Sequence, residues 1–171
     1  MEYKKNDLLT VTIEDMGHDG EGIGKVDGYT VFVKDAVIGD KVQVKIMKAK
    51  KNYGYARLVE IMEPSKDRVE PRCACARQCG GCQIQALSYE KQLAFKEDKV
   101  RNNLIRIGGI ENPPMEPIIG MDEPWRYRNK AQFPFGQAEE GCFTGFFALR
   151  SHAVIPCEDC KLQPKEFSEI A

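Results

Sequence analysis

The chain has 171 residues, of which 30% are charged and 42% hydrophobic, and its formal net charge is −1. That balance excludes a disordered or fibrous protein and can supply the cores of one or two small domains. It also excludes a global electrostatic attraction to nucleic acid or membrane, so any such binding must come from a local patch.

Residues 8–16 read as a strand, with the β-branched run Leu9-Thr10-Val11-Thr12-Ile13 at its centre. Four glycines in eight residues follow, in Gly17-His18-Asp19-Gly20-Glu21-Gly22-Ile23-Gly24. A phosphate-binding loop would open a helix, but the sequence after Lys25 is strand-like, so a glycine-rich hairpin or bulge is the better account and His18 a turn residue. Tyr29-Thr30-Val31-Phe32-Val33 is the next strand and Ile38-Gly39-Asp40 a turn. In the strand after it, Val42, Val44 and Ile46 alternate with Lys41, Gln43 and Lys45. Residues 53–62 supply a further strand, and short strands at this spacing predict a small closed β-barrel. Between Asp40 and Glu60 there is no acidic residue, while Lys48, Lys50, Lys51 and Arg57 join Lys41 and Lys45, with Tyr53 and Tyr55 interleaved. Cations for phosphates and aromatic faces for bases make a surface for single-stranded nucleic acid. The competing reading is a solvated strand face guarding a sheet edge with lysines.

Residues 64–72 form a polar, proline-bounded linker, where a domain boundary is expected. Next comes Cys73-Ala74-Cys75-Ala76-Arg77-Gln78-Cys79-Gly80-Gly81-Cys82: four of seven cysteines within ten residues, with Cys157 and Cys160 returning downstream. Isolated core cysteines have no reason to repeat so closely, and soft thiolates suit zinc, copper(I) or iron–sulfur clusters. Two readings compete. Cys79-x2-Cys82 with Cys157-x2-Cys160 makes a four-thiolate zinc site, whereas Cys73-x5-Cys79-x2-Cys82 closed by one distant cysteine makes an iron–sulfur site. An odd cysteine count with no apolar signal segment after Met1 argues for a reducing, cytoplasmic setting without disulfides, and no apolar run is long enough to span a bilayer.

After Ser88, a plausible N-cap, residues 89–107 predict a helix ended by Gly108-Gly109. Leu93, Val100, Leu104 and Ile107 lie near one face, so the helix is expected to cover a core. Beyond the connector Asn112-Pro113-Pro114, the residues Trp125 to Gln132 alternate as a strand with Arg126, Arg128, Lys130 and Gln132 on one face. That cationic stripe must face solvent, an acidic partner or phosphate. Glu139-Glu140-Gly141 marks a hairpin turn into a core strand, in which Cys142 is expected to pack.

The run from Cys73 through Gln85 resembles the motif C-x5-C-G-G-C-x-x-Q of the RNA (uracil-5-)-methyltransferases. Residues 17–24, Val37-Ile38-Gly39-Asp40 and the lysine-rich strand after them resemble the TRAM domain, the OB-like RNA-binding barrel that precedes the cluster in that family. Tyr127-Arg128-Asn129-Lys130 is similar to the family's tyrosine–arginine motif. The resemblance implies a 4Fe–4S cluster on Cys73, Cys79, Cys82 and Cys160, the last from Cys160-Lys161-Leu162, with Cys75 and Cys157 extra to the pattern. It implies a mainly β chain with some α. A TRAM-like barrel over residues 1–63 is followed by an α+β iron–sulfur central domain over 64–171, incomplete, with its helix over 89–107. A Rossmann-like S-adenosylmethionine domain, with the cysteine nucleophile and carboxylate base, is expected beyond Ala171, so no catalytic residue is assigned here and the chain alone should be inactive.

The expected partner is RNA, ribosomal in the first instance and transfer RNA as the alternative, met by Lys48, Lys50, Lys51, Tyr53, Arg57, Arg126, Arg128 and Lys130. The protein is expected to be monomeric and cytoplasmic, without membrane contact. A free-standing metal-containing RNA-binding protein and a zinc-stabilised interaction module are the alternatives of another class.

Overall fold

The computed structural model describes residues 3–139 and 141–170. Five strands, β1 (Leu8–Met16), β2 (Gly22–Val26), β3 (Tyr29–Lys34), β4 (Lys41–Ala49) and β5 (Tyr53–Glu63), close a barrel in the order β1-β2-β3-β5-β4. The pairings are antiparallel except β3 with β5, where Phe32 stands opposite Tyr55 and Val33 opposite Ala56. The alternation in sequence becomes the inside and outside of the barrel. Val11, Ile13, Val31, Val33, Val42, Val44 and Ile46 are buried in one cluster, while Lys41, Gln43 and Lys45 point outward and are half-exposed. Burying these aliphatic side chains, at about 1.5–3 kcal/mol each, is the main source of barrel stability. The expected bulge lies just upstream of the glycine run, between Ile13 and Asp15.

Among the described residues, one charged side chain is wholly inside. Asp40, at 0% exposure, accepts hydrogen bonds from the Val37 and Ser65 N–H groups at 2.8 and 2.9 Å and from Arg68 Nη2 at 2.6 Å. Arg68 Nη2 also donates to the Asp35 carbonyl at 2.8 Å. Burial alone would raise the Asp40 pKa, but Arg68 and the two backbone donors outweigh it and hold the carboxyl below its ordinary value. The segment after β5 is therefore fastened to the barrel by Arg68, and is not the free linker its prolines suggest.

The second region packs differently. It contains α1 (Tyr89–Arg106), the three-stranded sheet β6 (Phe135–Ala138), β7 (Gly141–Phe147) and β8 (Val154–Pro156), and the short α2 (Lys165–Ile170). The expected helix forms, but no residue of it is buried; Val100 is 52% and Ile107 82% exposed. The stripe thus covers no core, although Phe95 packs against the small cluster of Met16, Val37 and Leu87 that joins the barrel to this region. Ser88 stands at the N-cap position without a side-chain cap bond, and Gly109 at φ 67° turns the chain out of the helix. The hairpin tip residue Glu140 lies outside the described residues. Cys142 is exposed on β7 and does not pack in a core, because it sits on the open face of a sheet that only β6 and β8 flank.

The strand expected over residues 125–132 is not formed. Arg126 takes φ 57°, a left-handed conformation that breaks the alternation. Its guanidinium makes a two-point pair with Asp159, with Nη1 to Oδ1 at 2.6 Å and Nη2 to Oδ2 at 2.9 Å. Contacts more than thirty residues away in sequence, this pair and the Arg126 and Arg128 N–H bonds to Lys161 and Leu162, accompany the local departure from a strand.

Candidate functional site: a six-thiol centre beside an aromatic and cationic barrel face

The cysteine loop is a series of tight turns, with Ala76 N–H donating to the Cys73 carbonyl at 3.1 Å and Cys79 N–H to the Cys75 carbonyl at 2.8 Å. It then joins the sheet. Cys79 forms an antiparallel bridge with Ala148, and Gly80 N–H donates to the Phe147 carbonyl at 2.9 Å. A Cβ at Gly80 would lie 3.1 Å from that carbonyl oxygen, a tight contact, so the close approach favours glycine there.

The second cysteine pair is held from below by Arg126. Besides Asp159, its Nη1 donates to the carbonyls of Cys160 at 3.0 Å and Gln163 at 3.1 Å. The backbone reinforces this, with Arg126 N–H donating to Lys161 and Arg128 N–H to Leu162. Asp159 also accepts from Lys161, and the hydrogen bond from Arg126, followed by that from Lys161, holds its pKa far below the ordinary carboxylate range. Arg126 is thus engaged by an acidic partner and by the loop that presents Cys160. Its role as a positioner of that loop had no signal in the sequence beyond the stripe itself.

Six thiols converge here. Burial raises the pKa of Cys75, Cys79 and Cys82, and that of Cys157 is pushed up to about 12 by burial and then by the neighbouring Cys75, Cys73 and Cys160. Cys79 interacts electrostatically with Cys73 and Cys160, and Cys82 with Cys79 and Cys160, which links the four residues of the sequence motif to one another. The tightest group is a different one: Cys73, Cys75 and Cys157 have their sulfurs all within 4.8 Å of one another. Donors are already aimed at sulfur. Gly81 N–H lies 3.3 Å from Cys79 Sγ, the Gln85 side chain lies near enough to favour the Cys82 thiolate, and Arg128 stands close enough to favour the thiolates of both. The Gln85 contact gives the last position of the motif a physical role. Neutral thiols crowded together with cationic and N–H neighbours are the donor chemistry of a soft metal centre, so these residues fit one.

The barrel presents a second surface to the same side. Phe32, Tyr53 and Tyr55 form an aromatic patch, with Phe32 stacked on Tyr55 at 5.4 Å between centroids and Tyr53 edge-on to both at 5.9 Å. The Tyr29 hydroxyl donates to the Tyr53 carbonyl at 2.6 Å and so fixes the hairpin that carries the patch. Lys48, Lys50, Lys51 and Arg57 are exposed around it and form no salt bridge among the described residues. Phe32 was missed by sequence reasoning, though its outward place between buried Val31 and Val33 in the alternation marks it. Lys130 is exposed as expected. A cavity of about 190 Å³, lined by Phe32, Lys34, Tyr55, Cys79, Cys82 and Arg150, joins the patch to the thiols. Its walls are tied together by Lys34 Nζ to the Arg77 carbonyl at 3.0 Å and by Arg150 to Asp19 at 2.8 Å.

Comparison with known proteins adds three findings. The TRAM domain family matches residues 4–59. An uncharacterised RNA methyltransferase of Halalkalibacterium halodurans is 48% identical over 166 residues, 97% of this chain and 36% of that protein, and one of Clostridium tetani is 44% identical over 98% of this chain and 36% of its own length. The chain therefore spans about a third of the length of these relatives. Among solved structures, the tRNA (uracil-54, C5)-methyltransferase of Pyrococcus abyssi superposes with a TM-score of 0.61 at 24% identity, over 95% of this chain and 34% of that one, which shows a shared fold.

Proposed function

We propose that this chain, a TRAM-bearing relative of RNA methyltransferases, is the RNA-recognition and iron–sulfur portion of an S-adenosylmethionine-dependent RNA (uracil-5-)-methyltransferase acting on ribosomal RNA. The observation that carries the reading is the convergence of six thiols beside a TRAM barrel, in a chain that is nearly half identical, over almost all its length, to a protein named an uncharacterised RNA methyltransferase. Cys73, Cys79, Cys82 and Cys160 would hold a 4Fe–4S cluster, following the motif spacing and the electrostatic linkage among the four. When bound, the cluster supplies a cross-link between the loop near residue 80 and the loop near residue 160, and takes no part in the redox-neutral methyl transfer. The residues of this chain bind and orient RNA: Lys48, Lys50, Lys51, Arg57, Arg128 and Lys130 draw in the phosphates, and Tyr53 with Phe32 and Tyr55 stacks unpaired bases. Residues 1–63 would be the barrel domain and 64–171 the iron–sulfur domain, and methyl transfer would be carried out by residues outside this chain.

Anaerobic purification followed by iron, sulfide and zinc analysis tests the metal half. About four irons per chain and a broad near-ultraviolet to visible absorption are expected; a colourless protein with stoichiometric zinc overturns it. Filter binding to ribosomal and transfer RNA tests the other half, with preference for transfer RNA as the outcome that would redirect the substrate assignment.

A further inference from the structure

The motif leaves two thiols unused, Cys75 and Cys157, and the fold brings those two together. They belong to loops far apart in sequence, yet both meet Cys73, with all three sulfurs within 4.8 Å of one another. The middle of β7 and the end of β8 anchor them: Cys75 Sγ donates to the Pro156 carbonyl at 3.2 Å, and Cys157 N–H donates to the Thr144 carbonyl at 3.4 Å. A single buried cysteine is ordinarily a small hydrophobe. These are not part of either apolar cluster of the molecule, and Cys157, only 9% exposed, has thiols as its nearest chemistry. Two spare cysteines would not be expected to meet a third by packing alone.

The spacing suits one ion. Three thiolates about 2.3 Å from one tetrahedral zinc ion lie about 3.8 Å from one another. The trio's sulfurs already lie within 4.8 Å of one another, so side-chain rotation with a small inward shift brings them onto one ion. Cys73 and Cys75 are half-exposed, which leaves room for entry and for a water in the fourth position.

We infer that Cys73, Cys75 and Cys157 form a second thiolate site for one soft divalent d10 cation, zinc in its physiological form, and that it fills only when Cys73 is not engaged by the cluster. Binding releases the thiol protons to solvent and changes no oxidation state. The zinc form would hold the cysteine loop against β8 in a chain that has not yet received, or has lost, its cluster. The clause on exclusivity rests on the proposed quartet; the trio itself rests on the positions of its sulfurs.

The test is anaerobic titration of the cluster-free chain with cadmium as the zinc probe, read by thiolate-to-metal absorption in the ultraviolet and by competition with zinc. One ion per chain is expected to bind tightly. Cys75→Ser and Cys157→Ser should each weaken it by about tenfold or more, while Cys79→Ser, Cys82→Ser and Cys142→Ser leave it in place. Should Cys157→Ser fail to fold, the half-exposed Cys75 decides the matter. Cadmium affinity unchanged by Cys75→Ser, or dependent instead on Cys79, Cys82 and Cys160, overturns the site. Uptake of cadmium by a chain already loaded with iron overturns the exclusivity. A chain that never takes iron but binds cadmium through the trio would refute the cluster and leave this site standing.

Discussion

The barrel and the region after it reach order by different means. The barrel encloses seven aliphatic side chains and closes its own sheet, whereas after Glu63 the buried hydrophobic side chains among the described residues are Leu87, Cys157 and Leu162. An 18-residue helix there contributes only Phe95 to a small cluster, and the loops on either side of the thiols are held by backbone hydrogen bonds, the Arg126–Asp159 pair and the cysteines themselves. A region with so small a core needs a covalent or coordinate staple, as small metal-bound domains do. On the proposed reading the barrel should stand without a metal, and the second region should depend on one.

The largest effect should come from the staple. Cys79→Ser or Cys82→Ser should remove the iron chromophore altogether, and Cys142→Ser, on the exposed face of β7, should leave it intact. Retention of the full chromophore in both of the first two variants would break the quartet assignment.

Next in size is a change confined to the barrel. Arg68→Ala leaves the Asp40 carboxylate buried without its partner and should cost about 3–5 kcal/mol of barrel stability by thermal or denaturant unfolding. The pH dependence follows from the same pair. The Asp40 pKa is depressed in the folded state, so its contribution is present above the unfolded value of about 3.9 and is lost as pH falls through the folded value. Asp40→Asn should therefore flatten the acid limb of the barrel's stability profile; an unchanged acid limb would show that other carboxylates govern it.

Arg126→Ala tests the boundary between the regions' mechanisms. It removes the donors to the Cys160 and Gln163 carbonyls without touching a thiol, and about a tenfold weaker metal retention is expected, with no change in barrel stability. Equal retention would mean that the backbone bonds of residues 126 and 128 suffice to place Cys160.

Smallest are the effects on RNA. Tyr53→Ala or Tyr55→Ala should cost about 1–3 kcal/mol of single-stranded RNA binding and leave the salt slope alone, while neutralising Lys48, Lys50 and Lys51 should flatten that slope. Tight binding that survives all these changes would reduce the patch to a solvated barrel face.

How much of this was legible in the sequence tracks how local the deciding interactions are. The barrel strands were readable because Val42, Val44 and Ile46 must share a face whatever lies beyond them. Helix α1 was readable as a helix, but its apolar stripe could not say whether a partner exists to cover it. The strand expected around Arg126 is not formed: the backbone there is left-handed and the side chain pairs with distant Asp159, a partner that local alternation does not report. Cys142 was read as buried from its aromatic neighbours, which do not report that β7 has an open side. The motif spacing pointed to four cysteines, while the meeting of Cys75 with Cys157 is a product of the fold and leaves no trace in spacing.

Hydrogen exchange on the metal-free chain, compared with the metal-loaded chain, tests the central contrast most directly. Without metal, amides after Pro64 should exchange at nearly unfolded rates while those of Val31, Val33, Val42, Val44 and Ile46 stay protected. Unchanged protection after Pro64 in the metal-free chain would contradict the account.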